Sequence, residues 1–217
     1  MQPTDLFDTI DTLRAMRRLE ARPVPLELIR RVVAAGTKAP SGQNSQPWAF
    51  LVVQDPATKR FIQERYHGVM VRRFGAFAEA LADDDSTLAR NLRAAMHLAE
   101  HLHEAPVLLH VCGLRDWPAA IPEARRIGKA PPSYGSIYPC IQNVLLACRA
   151  LELGASLTTA HMLFEDELAA HLGVPETYGI VAIIPIGYPR GKFGPVVRRP
   201  AEEVTYFDRW DDRSAPE

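Results

Sequence analysis

Hydrophobic residues recur along this chain with two different spacings, and each spacing predicts one type of element. Leu6, Ile10 and Leu13 lie on one side of a helix that we expect to end near Arg18. Residues 26–38 repeat the helical spacing directly after a proline, a residue that readily opens a helix. The N-terminal part of the chain is therefore predicted to form two amphipathic helices.

Longer apolar runs alternate with further helical patterns in the rest of the chain. Buried strands are predicted over residues 48–54, 107–112 and 180–187, with a shorter strand over 156–160. Further helices are predicted from Asp55-Pro56, over 68–103 with a break near the acidic run 83–85, over 138–153 with Gly154 as a C-terminal glycine, and over 164–172. Helices that interleave with about four strands indicate a mixed α/β or α+β class.

The composition is that of one ordinary domain and argues against several function classes. The 217 residues carry 25 lysines and arginines against 26 acids, and this net charge of −1 argues against a general nucleic-acid binder. The longest apolar runs fall far short of the roughly 20 residues that a membrane span needs. We therefore expect a single domain over residues 1–217, without nucleic-acid or membrane partners.

Two features favour a cytoplasmic location. The first residues, MQPTDLFDTI, carry acids where a signal peptide would have a basic flank and a continuous apolar run. The cysteines at positions 112, 140 and 148 have no CxxC spacing, which is typical of reduced thiols. Cys140 and Cys148 fall on a predicted buried helix and are interpreted as small core residues.

Arginines are concentrated in two segments near opposite ends of the chain. Six of them lie between residues 14 and 31, and Arg190, Lys192, Arg198 and Arg199 follow the last predicted strand with no acid among them. Planar guanidinium groups bind phosphate through paired hydrogen bonds, so the two segments are candidates for a common anion site. The alternative is that they are solvated surface charges.

A polar loop bounded by prolines lies between the second helix and the first strand. Residues 40–47, Pro-Ser-Gly-Gln-Asn-Ser-Gln-Pro, carry amides and hydroxyls that suit a planar heterocycle with alternating donors and acceptors. Turns also favour these residue types, so the residues alone leave ligand binding and a plain turn open. The P-loop, Rossmann, GxSxG and HExxH motifs are absent from the sequence.

Other chemistry-bearing residues have both a functional and a structural interpretation. His97 and His101 are one helical turn apart, as in some zinc sites, but a third ligand is missing. This favours a polar helix face over a metal hydrolase, so no metal is expected. Tyr134 and Tyr138 suit either packing, which we favour, or stacking on a substrate. The proline-rich segment 115–133 is expected to be a loop or lid over the site.

Four motifs, taken in order, resemble the nitroreductase family of flavin enzymes. They are Arg14-Ala15-Met16-Arg17-Arg18 with Pro23-Val24-Pro25, the stretch APSGQNSQPWAFLVV over residues 39–53, the stretch from Gly135 to Ser156, and Ile186-Gly187-Tyr188-Pro189 with Arg198-Arg199-Pro200. The resemblance implies an α+β, nitroreductase-like fold with a mixed, largely antiparallel sheet flanked by helices. It also implies an intertwined homodimer with FMN at the subunit interface. Residues of about 68–133 would then be a variable helical or lid insertion.

The resemblance also implies, residue by residue, which positions contact FMN. Met16 stands where many relatives carry serine, so Arg17 is a candidate substitute for the missing hydroxyl contact. The implied set is Arg14, Ala15, Met16 and Arg18 in the first motif, Pro40, Ser41, Gly42 and Asn44 from the partner subunit, Ser136 and Gln142 near the start of the long helix, Thr158 and Thr159 near flavin N5, and Arg198 and Arg199 at the phosphate.

The implied activity is the reduction of nitroaromatic, quinone or similar conjugated acceptors by NADH or NADPH, in a ping-pong two-electron mechanism. In such an enzyme the cofactor carries the chemistry, so no catalytic side chain is expected. Arg18 is the candidate that stabilises negative charge at the flavin N1–C2 edge. Two alternatives stay open: a non-catalytic protein that binds or sequesters flavin, and an in-family dehalogenase or flavin-fragmenting enzyme.

Overall fold

The chain forms a four-stranded sheet, and helices lie on both of its faces. The computed structural model describes residues 5–115 and 128–212. Within these ranges the helices are α1 (Leu6–Thr12), α2 (Leu26–Gly36), α3 (Pro56–Ala80), α4 (Thr87–His101), α5 (Tyr134–Ala150) and α6 (Glu165–Leu172). The strands are β1 (Trp48–Val53), β2 (Val107–Leu114), β3 (Gly154–Ala155) and β4 (Tyr178–Gly187). Short 3-10 turns occupy Gly42–Asn44, Leu102–Glu104, Ala160–Leu163 and Ala201–Val204.

The sheet has the strand order β1-β2-β4-β3, and each neighbouring pair is antiparallel. At the centre, His110 of β2 lies opposite Leu51 of β1 and Ile183 of β4. Val- and Ile-rich strands suit these positions because both faces of the sheet are covered. The antiparallel sheet with flanking helices confirms the predicted α+β class.

Two layers of helices bury the faces of the sheet. On one face, the α2–α5 layer packs through Val32 and Val144. On the other face, the α3–α4–α6 layer packs through Ile62, Leu98 and Leu168. These five side chains are at most 4% exposed. Burying a side chain of this size contributes roughly 1.5–3 kcal/mol, so the two layers hold the sheet in place.

Side-chain caps stabilise the N-termini of α3 and α4, the two helices that lie on either side of the predicted acidic break. Asp55 accepts the N–H of Thr58 at 2.7 Å, and Ser86 accepts the N–H of Ala89 at 3.2 Å. The break near residues 83–85 is confirmed, because it falls between the two helices. None of the helices in the two described ranges has the length and hydropathy required to cross a membrane.

The first helix is shorter than predicted. α1 ends at Thr12, and the chain leaves the helix over residues 13–19 instead of continuing to Arg18. The cause is tertiary, because Met16 donates its N–H to the carbonyl of Ala155 at 2.9 Å. The predicted boundary was wrong because apolar spacing does not reveal a backbone bond to a distant strand.

The predicted end of the long helix and the position of the strand after it were also wrong. α5 ends at Ala150, and Glu152, with φ 59°, takes the left-handed conformation expected of a terminal glycine. Gly154 instead begins β3, so the strand predicted over residues 156–160 starts two residues too late. The function of Gly154 is close packing, as described below.

The segment predicted to be a loop or lid, residues 115–133, lies outside the described residues over 116–127. Within the longer range 68–133, α4, the 3-10 turn after it and β2 supply Leu98, Leu102 and Leu109, respectively, to the core. Those parts therefore support the sheet. That this range forms a variable insertion over the site stays a prediction.

The three cysteines are free and buried, which confirms the interpretation of Cys140 and Cys148 as core residues. Burial raises the pKa of each thiol, including that of Cys112, to about 12. At neutral pH they are uncharged, small hydrophobic residues and not nucleophiles.

A polar side chain, His110, occupies the middle of β2 with no exposed surface. Neither of its ring nitrogens has a hydrogen-bond partner among the described residues. Burial lowers its pKa to about 4, and the neighbouring His161 adds to this shift. His110 is therefore uncharged in the folded protein at neutral pH.

Acid should destabilise the fold through His110. In the unfolded chain a histidine binds a proton below about pH 6.5, whereas folded His110 resists protonation down to about pH 4. The stabilisation is therefore fully present above pH 6.5 and is lost as the pH falls towards 4. Between pH 7 and 5, urea denaturation should show a loss of about 2 kcal/mol through this residue.

Two matched variants, His110→Val and His67→Gln, test whether His110 causes the loss of stability in acid. The first removes the buried imidazole and should remove this component of the acid loss. The second removes a partly exposed histidine of α3 and should retain it. Equal acid losses in the unmodified protein and in His110→Val would contradict the prediction.

Candidate functional site

The first arginine segment, residues 14–18, lies at one end of the sheet, beside β3 and the chain that follows β4. Met16 bonds to Ala155 as described, and the carbonyl of Arg18 accepts the N–H of Arg190 at 3.0 Å. Three separate parts of the chain therefore meet at this edge. These backbone hydrogen bonds fix the part of the backbone from which the arginine side chains extend.

Two glycines make this close approach possible. A Cβ at Gly154 would lie 2.8 Å from Leu19 Cδ2 and 3.0 Å from Met16 Cβ. A Cβ at Gly187 would lie 2.8 Å from Pro106 Cδ and 3.2 Å from Leu19 Cβ. The shortest of these contacts are closer than packed side chains tolerate, so both positions require glycine.

The side chains of the arginine segment do not face the same way. Met16 packs in the α3–α4–α6 layer at 8% exposure, so its side chain and its N–H are both engaged within the chain. Arg17 is half-buried, whereas Arg14, Ala15 and Arg18 are exposed. Of the predicted positions here, these last three are open to a ligand at the surface.

Tyr66 of α3 contacts the chain that follows β3. Its hydroxyl lies 2.7 Å from Oγ1 of Thr158, and the two residues are 4% and 8% exposed. Burial raises the pKa of Tyr66, and the hydrogen bond and the charge of Arg17 oppose that shift. Thr158 also exchanges two backbone bonds of 3.0 Å with Ile183. Its hydroxyl and backbone are thus occupied, whereas the neighbouring Thr159 is half-exposed.

Arg17 is a half-buried cation without an anionic partner. Burial lowers the pKa of its guanidinium, and the charge of Tyr66 opposes the shift. Among the residues the structure describes, no carboxylate lies within ion-pair distance of it. A partly desolvated charge with no counter-charge is stabilised when an anion binds. Arg17 is therefore a candidate anion contact on the Thr158 side of the site.

The polar loop adopts a strained conformation with its amides facing solvent. Gln43, Asn44 and Gln46 have φ of 53°, 53° and 48°, in the left-handed region that non-glycine residues rarely adopt. The loop is closed by the Oγ of Ser41, which accepts the N–H of Gln46 at 3.0 Å. Such strain concentrates at ligand sites, which favours ligand binding over a plain turn. The exposed members of the loop include Pro40, Gly42, Gln43 and Asn44.

The long helix α5 contacts this loop through Ser136. The N–H of Gly42 donates to the Oγ of Ser136 at 3.3 Å, and Ser136 is buried. Gln142 lies further along α5 and is exposed. Tyr134 and Tyr138 stack at 5.9 Å and are 37% and 42% exposed, so they are not core residues of this chain.

The second arginine segment passes beside α1. The N–H of Val196 donates to the carbonyl of Asp11 at 2.9 Å. This bond joins the chain two residues before Arg198 to the chain three residues before Arg14. Arg198 and Arg199 are both exposed. The two arginine segments thus approach each other through backbone contacts, while their side chains extend from the surface.

The predicted binding residues therefore fall into two groups within one chain. The arginine group comprises residues 14–18, Thr158, Thr159, Arg198 and Arg199. The loop group comprises residues 40–44, Ser136 and Gln142. Within the described part of the chain, no hydrogen bond connects a member of one group to a member of the other.

His97 and His101 form a polar cluster beside the arginine group. Their ring centroids are 4.2 Å apart, and Nδ1 of His97 lies 3.2 Å from Nη1 of Arg18. Nδ1 of His101 lies 2.7 Å from Oε1 of Glu104. Over residues 5–115 and 128–212, no group of three or more His, Cys, Asp and Glu side chains is arranged to hold a metal ion. The polar contacts of these histidines are with Arg18 and Glu104.

Sequence reasoning missed the contact of Tyr66 with Thr158, one of the predicted site residues. Its hydrogen-bond partner, Thr158, is 92 positions away in the chain. The available signal was chemical, because a tyrosine on the buried side of a helix requires a partner for its hydroxyl. Nothing local identified that partner.

The fold and the site define an α+β protein with exposed arginines at one end of its sheet. The family model described as Nitroreductase family matches residues 10–188. The chain therefore belongs to the nitroreductase family.

Individual relatives are similar over most of the chain. The NADH dehydrogenase of Thermus thermophilus is 32% identical over 201 residues, which cover 89% of this chain and 91% of that protein. The 5,6-dimethylbenzimidazole synthase of Rhodospirillum rubrum is also 32% identical, with 84% and 83% covered. A solved iodotyrosine deiodinase, bound to FMN and 3-iodo-L-tyrosine, superposes with a TM-score of 0.68 at 26% identity, covering 95% of this chain and 99% of that one. The three proteins are named for different reactions, so the similarity establishes the family and leaves the reaction open.

A double-mutant cycle should measure the Tyr66–Thr158 hydrogen bond. Tyr66→Phe leaves a buried hydroxyl without its partner, and Thr158→Val removes the other hydroxyl at nearly constant volume. We expect each single variant to lose roughly 1–2 kcal/mol of unfolding free energy, and the two to couple by about 1 kcal/mol. Additive losses in urea denaturation of the double variant would show that the bond contributes nothing.

Proposed function

We propose that this protein is an FMN-dependent oxidoreductase that uses NADH or NADPH to reduce nitroaromatic, quinone or similar conjugated acceptors. The observation that carries the proposal is the arginine group, in which Arg17 is half-buried near Tyr66 and has no ion-pair partner among the described residues. The FMN in the similar deiodinase structure supports the cofactor. The name of the Thermus relative supports a nicotinamide donor.

The residues present fit a ligand with a phosphate and a planar heterocycle. Guanidinium groups bind phosphate through paired charge-assisted hydrogen bonds, and Arg14 and Arg18 are exposed for that purpose. The loop group offers amides and backbone N–H groups, which pair with the alternating donors and acceptors of a ring edge. FMN combines both features in one molecule.

Each predicted position then takes a specific part in binding. Met16 supports the site from the protein interior, because its side chain is buried and its N–H is bonded to the carbonyl of Ala155. Thr159 faces the ligand, while Thr158 fixes the backbone beside it. The remaining assignments are Arg14, Arg198 and Arg199 at the phosphate, Ala15 through its backbone, Arg17 and Arg18 at the anionic edge, and Pro40, Ser41, Gly42, Asn44, Ser136 and Gln142 on the opposite side.

We further propose a homodimer in which the arginine group of one protomer and the loop group of its partner enclose one FMN. The two groups share no hydrogen bond within the described part of one chain, which supports this arrangement. Exposed apolar residues of α1 support it as well: Leu6, Phe7 and Ile10 are 59%, 72% and 44% exposed. Clustered apolar residues of this kind are typical of a surface that another chain covers.

FMN, when bound, would supply two-electron redox chemistry between NAD(P)H and the acceptor. The residues of the chain bind, orient and tune it. A guanidinium at the N1–C2 edge favours negative charge there, and Arg18 is assigned that function. No side chain is needed as a nucleophile, and the three thiols, with a pKa of about 12, are unsuited to that role.

The acceptor distinguishes this proposal from its alternatives. The similarity to the deiodinase favours a reductive dehalogenase as the second candidate, and the similarity to the synthase favours a flavin-fragmenting enzyme. A protein that binds flavin without turnover would use the same arginine and loop groups. The proposed function and its alternatives can therefore be distinguished only by the reactions that the protein catalyses.

Complementation between two defective chains tests the shared site. Arg14→Ala and Asn44→Ala should each weaken FMN binding about tenfold or more, the effect of losing a contact worth roughly 1.4 kcal/mol. In a mixed dimer of the two variants, one site carries both defects and the other carries none. The mixed dimer should therefore bind one FMN per dimer with the affinity of the unmodified protein, measured by titration of tag-purified mixed dimers.

A site formed by one chain alone would give a different result. If both residues contacted the same FMN from one chain, each site of the mixed dimer would carry one defect, and no site of full affinity would appear. A monomeric mass for the unmodified protein in sedimentation would also contradict the arrangement.

Anaerobic mixing with NADH or NADPH tests the reaction. The flavin absorbance of the loaded protein should bleach fast enough for turnover, and a quinone or nitroaromatic should restore it. Free FMN with the same nicotinamide is the control for uncatalysed reduction. An unreactive bound flavin would favour the binder, iodide release from an iodophenol would favour the dehalogenase, and loss of flavin to a fragment would favour the fragmenting enzyme.

A further inference from the structure

We propose that His97 is a positioning residue that orients the Arg18 guanidinium towards FMN, so that FMN affinity depends on the protonation state of this histidine. The proposal rests on the proposed FMN function and adds a residue to that site. It also gives the histidine pair a function that does not involve a metal.

The contact between the two side chains defines the tautomer of His97. Nη1 of Arg18 lies 3.2 Å from Nδ1 of His97. A guanidinium is always protonated and can only donate, so Nδ1 must accept and the ring proton must lie on Nε2. Arg18 has five N–H donors in total, so one bond to His97 leaves the others for a ligand.

A closed set of contacts holds the His97 ring in place. His97 packs against His101 at 4.2 Å, and His101 bonds to Glu104 at 2.7 Å. Nη2 of Arg190 lies 3.9 Å from Oε2 of Glu104, and the N–H of Arg190 bonds to the carbonyl of Arg18 at 3.0 Å. The contacts therefore return to Arg18, whose backbone and side chain are held from two directions.

The surroundings of His97 favour its neutral form. Burial, followed by the charges of Arg18 and His101, lowers the pKa of His97, and Arg190 adds to the shift. Glu100 on the same helix opposes it. The remaining charged groups facing this small cleft are Arg17 and Glu104. At neutral pH the ring is thus available as an acceptor.

Protonation of His97 changes its contact with Arg18 from an attractive hydrogen bond to a repulsion between two cations. A protonated imidazole has a hydrogen on Nδ1, so it no longer accepts from Arg18, and two cations then face each other at the same distance. The guanidinium loses its orienting partner and is repelled from its position. FMN affinity should therefore fall as the pH falls through the pKa of His97.

The first experiment needs no flavin. NMR titration of the His97 ring in the flavin-free protein should give a higher pKa in Arg18→Ala than in the unmodified protein, because a neighbouring positive charge has been removed. An unchanged His97 pKa would overturn the proposal, since the contact would then have no electrostatic effect.

The second experiment measures FMN dissociation constants at pH 7.5 and at one pH unit below the His97 pKa that the NMR titration gives. His97→Leu removes the acceptor and should weaken binding about fivefold at pH 7.5, the effect of one lost hydrogen bond. His97→Gln retains an acceptor that does not titrate and should bind like the unmodified protein at pH 7.5. On lowering the pH, the unmodified protein should lose about fivefold more affinity than His97→Gln. The FMN phosphate, with a second pKa near 6, titrates equally in all variants and cancels in the comparison.

The controls separate this proposal from the function on which it rests. His67→Gln removes a distant histidine of α3 and should bind FMN like the unmodified protein at both pH values. Tight FMN binding by the unmodified protein, combined with unaltered affinity and pH dependence in both His97 variants, would overturn the inference and leave the proposed function intact. Failure of the unmodified protein to bind FMN would overturn the proposed function, and the role of His97 with it.

Discussion

The close approach of residues 14–18 to the end of the sheet is the constraint on which the rest of the site depends. Gly154 and Gly187 leave the space that Leu19 and Met16 fill, and larger residues there would displace the segment. The two helical layers fix β3 and β4, and backbone bonds then fix the arginine segment against them. Had α1 continued to Arg18, the N–H of Met16 would have bonded within the helix and not to the carbonyl of Ala155, and the segment would have lost this link to β3.

A second consequence is that a charge lies against an apolar layer. Arg17 approaches Tyr66, and Tyr66 is hydrogen-bonded to Thr158 within the α3–α4–α6 layer. A low local dielectric strengthens any attraction to an anion and makes an unpaired charge costly. An anionic ligand that binds the folded chain and not the unfolded chain adds to stability by mass action. Binding of the proposed ligand would therefore be linked to stability through Arg17.

The sequence predicted those parts of the molecule that local patterns determine. β1, β2 and β4 follow from apolar runs, and the break between α3 and α4 follows from an acidic turn. The end of α1 and the position of β3 were wrong, because a bond from Met16 to Ala155 and close packing at Gly154 determine them. The candidate site divides in the same way. Motifs identified the arginine and loop residues, but the partners of Tyr66 and His97 are 92 and 79 positions away, and no local spacing encodes such contacts.

The two halves of the proposed site carry different kinds of polar group. The arginine group is cationic, and the polar cluster of His97, His101, Glu104 and Arg190 lies on that same half. The loop group is uncharged and gains its shape from backbone strain and from Ser136. A change in pH therefore acts on one half of the site, through the orientation of Arg18, while the other half keeps its geometry. Affinity for an anion can then vary with pH without any change in how the heterocycle is recognised, because charge and shape are supplied by different parts of the chain.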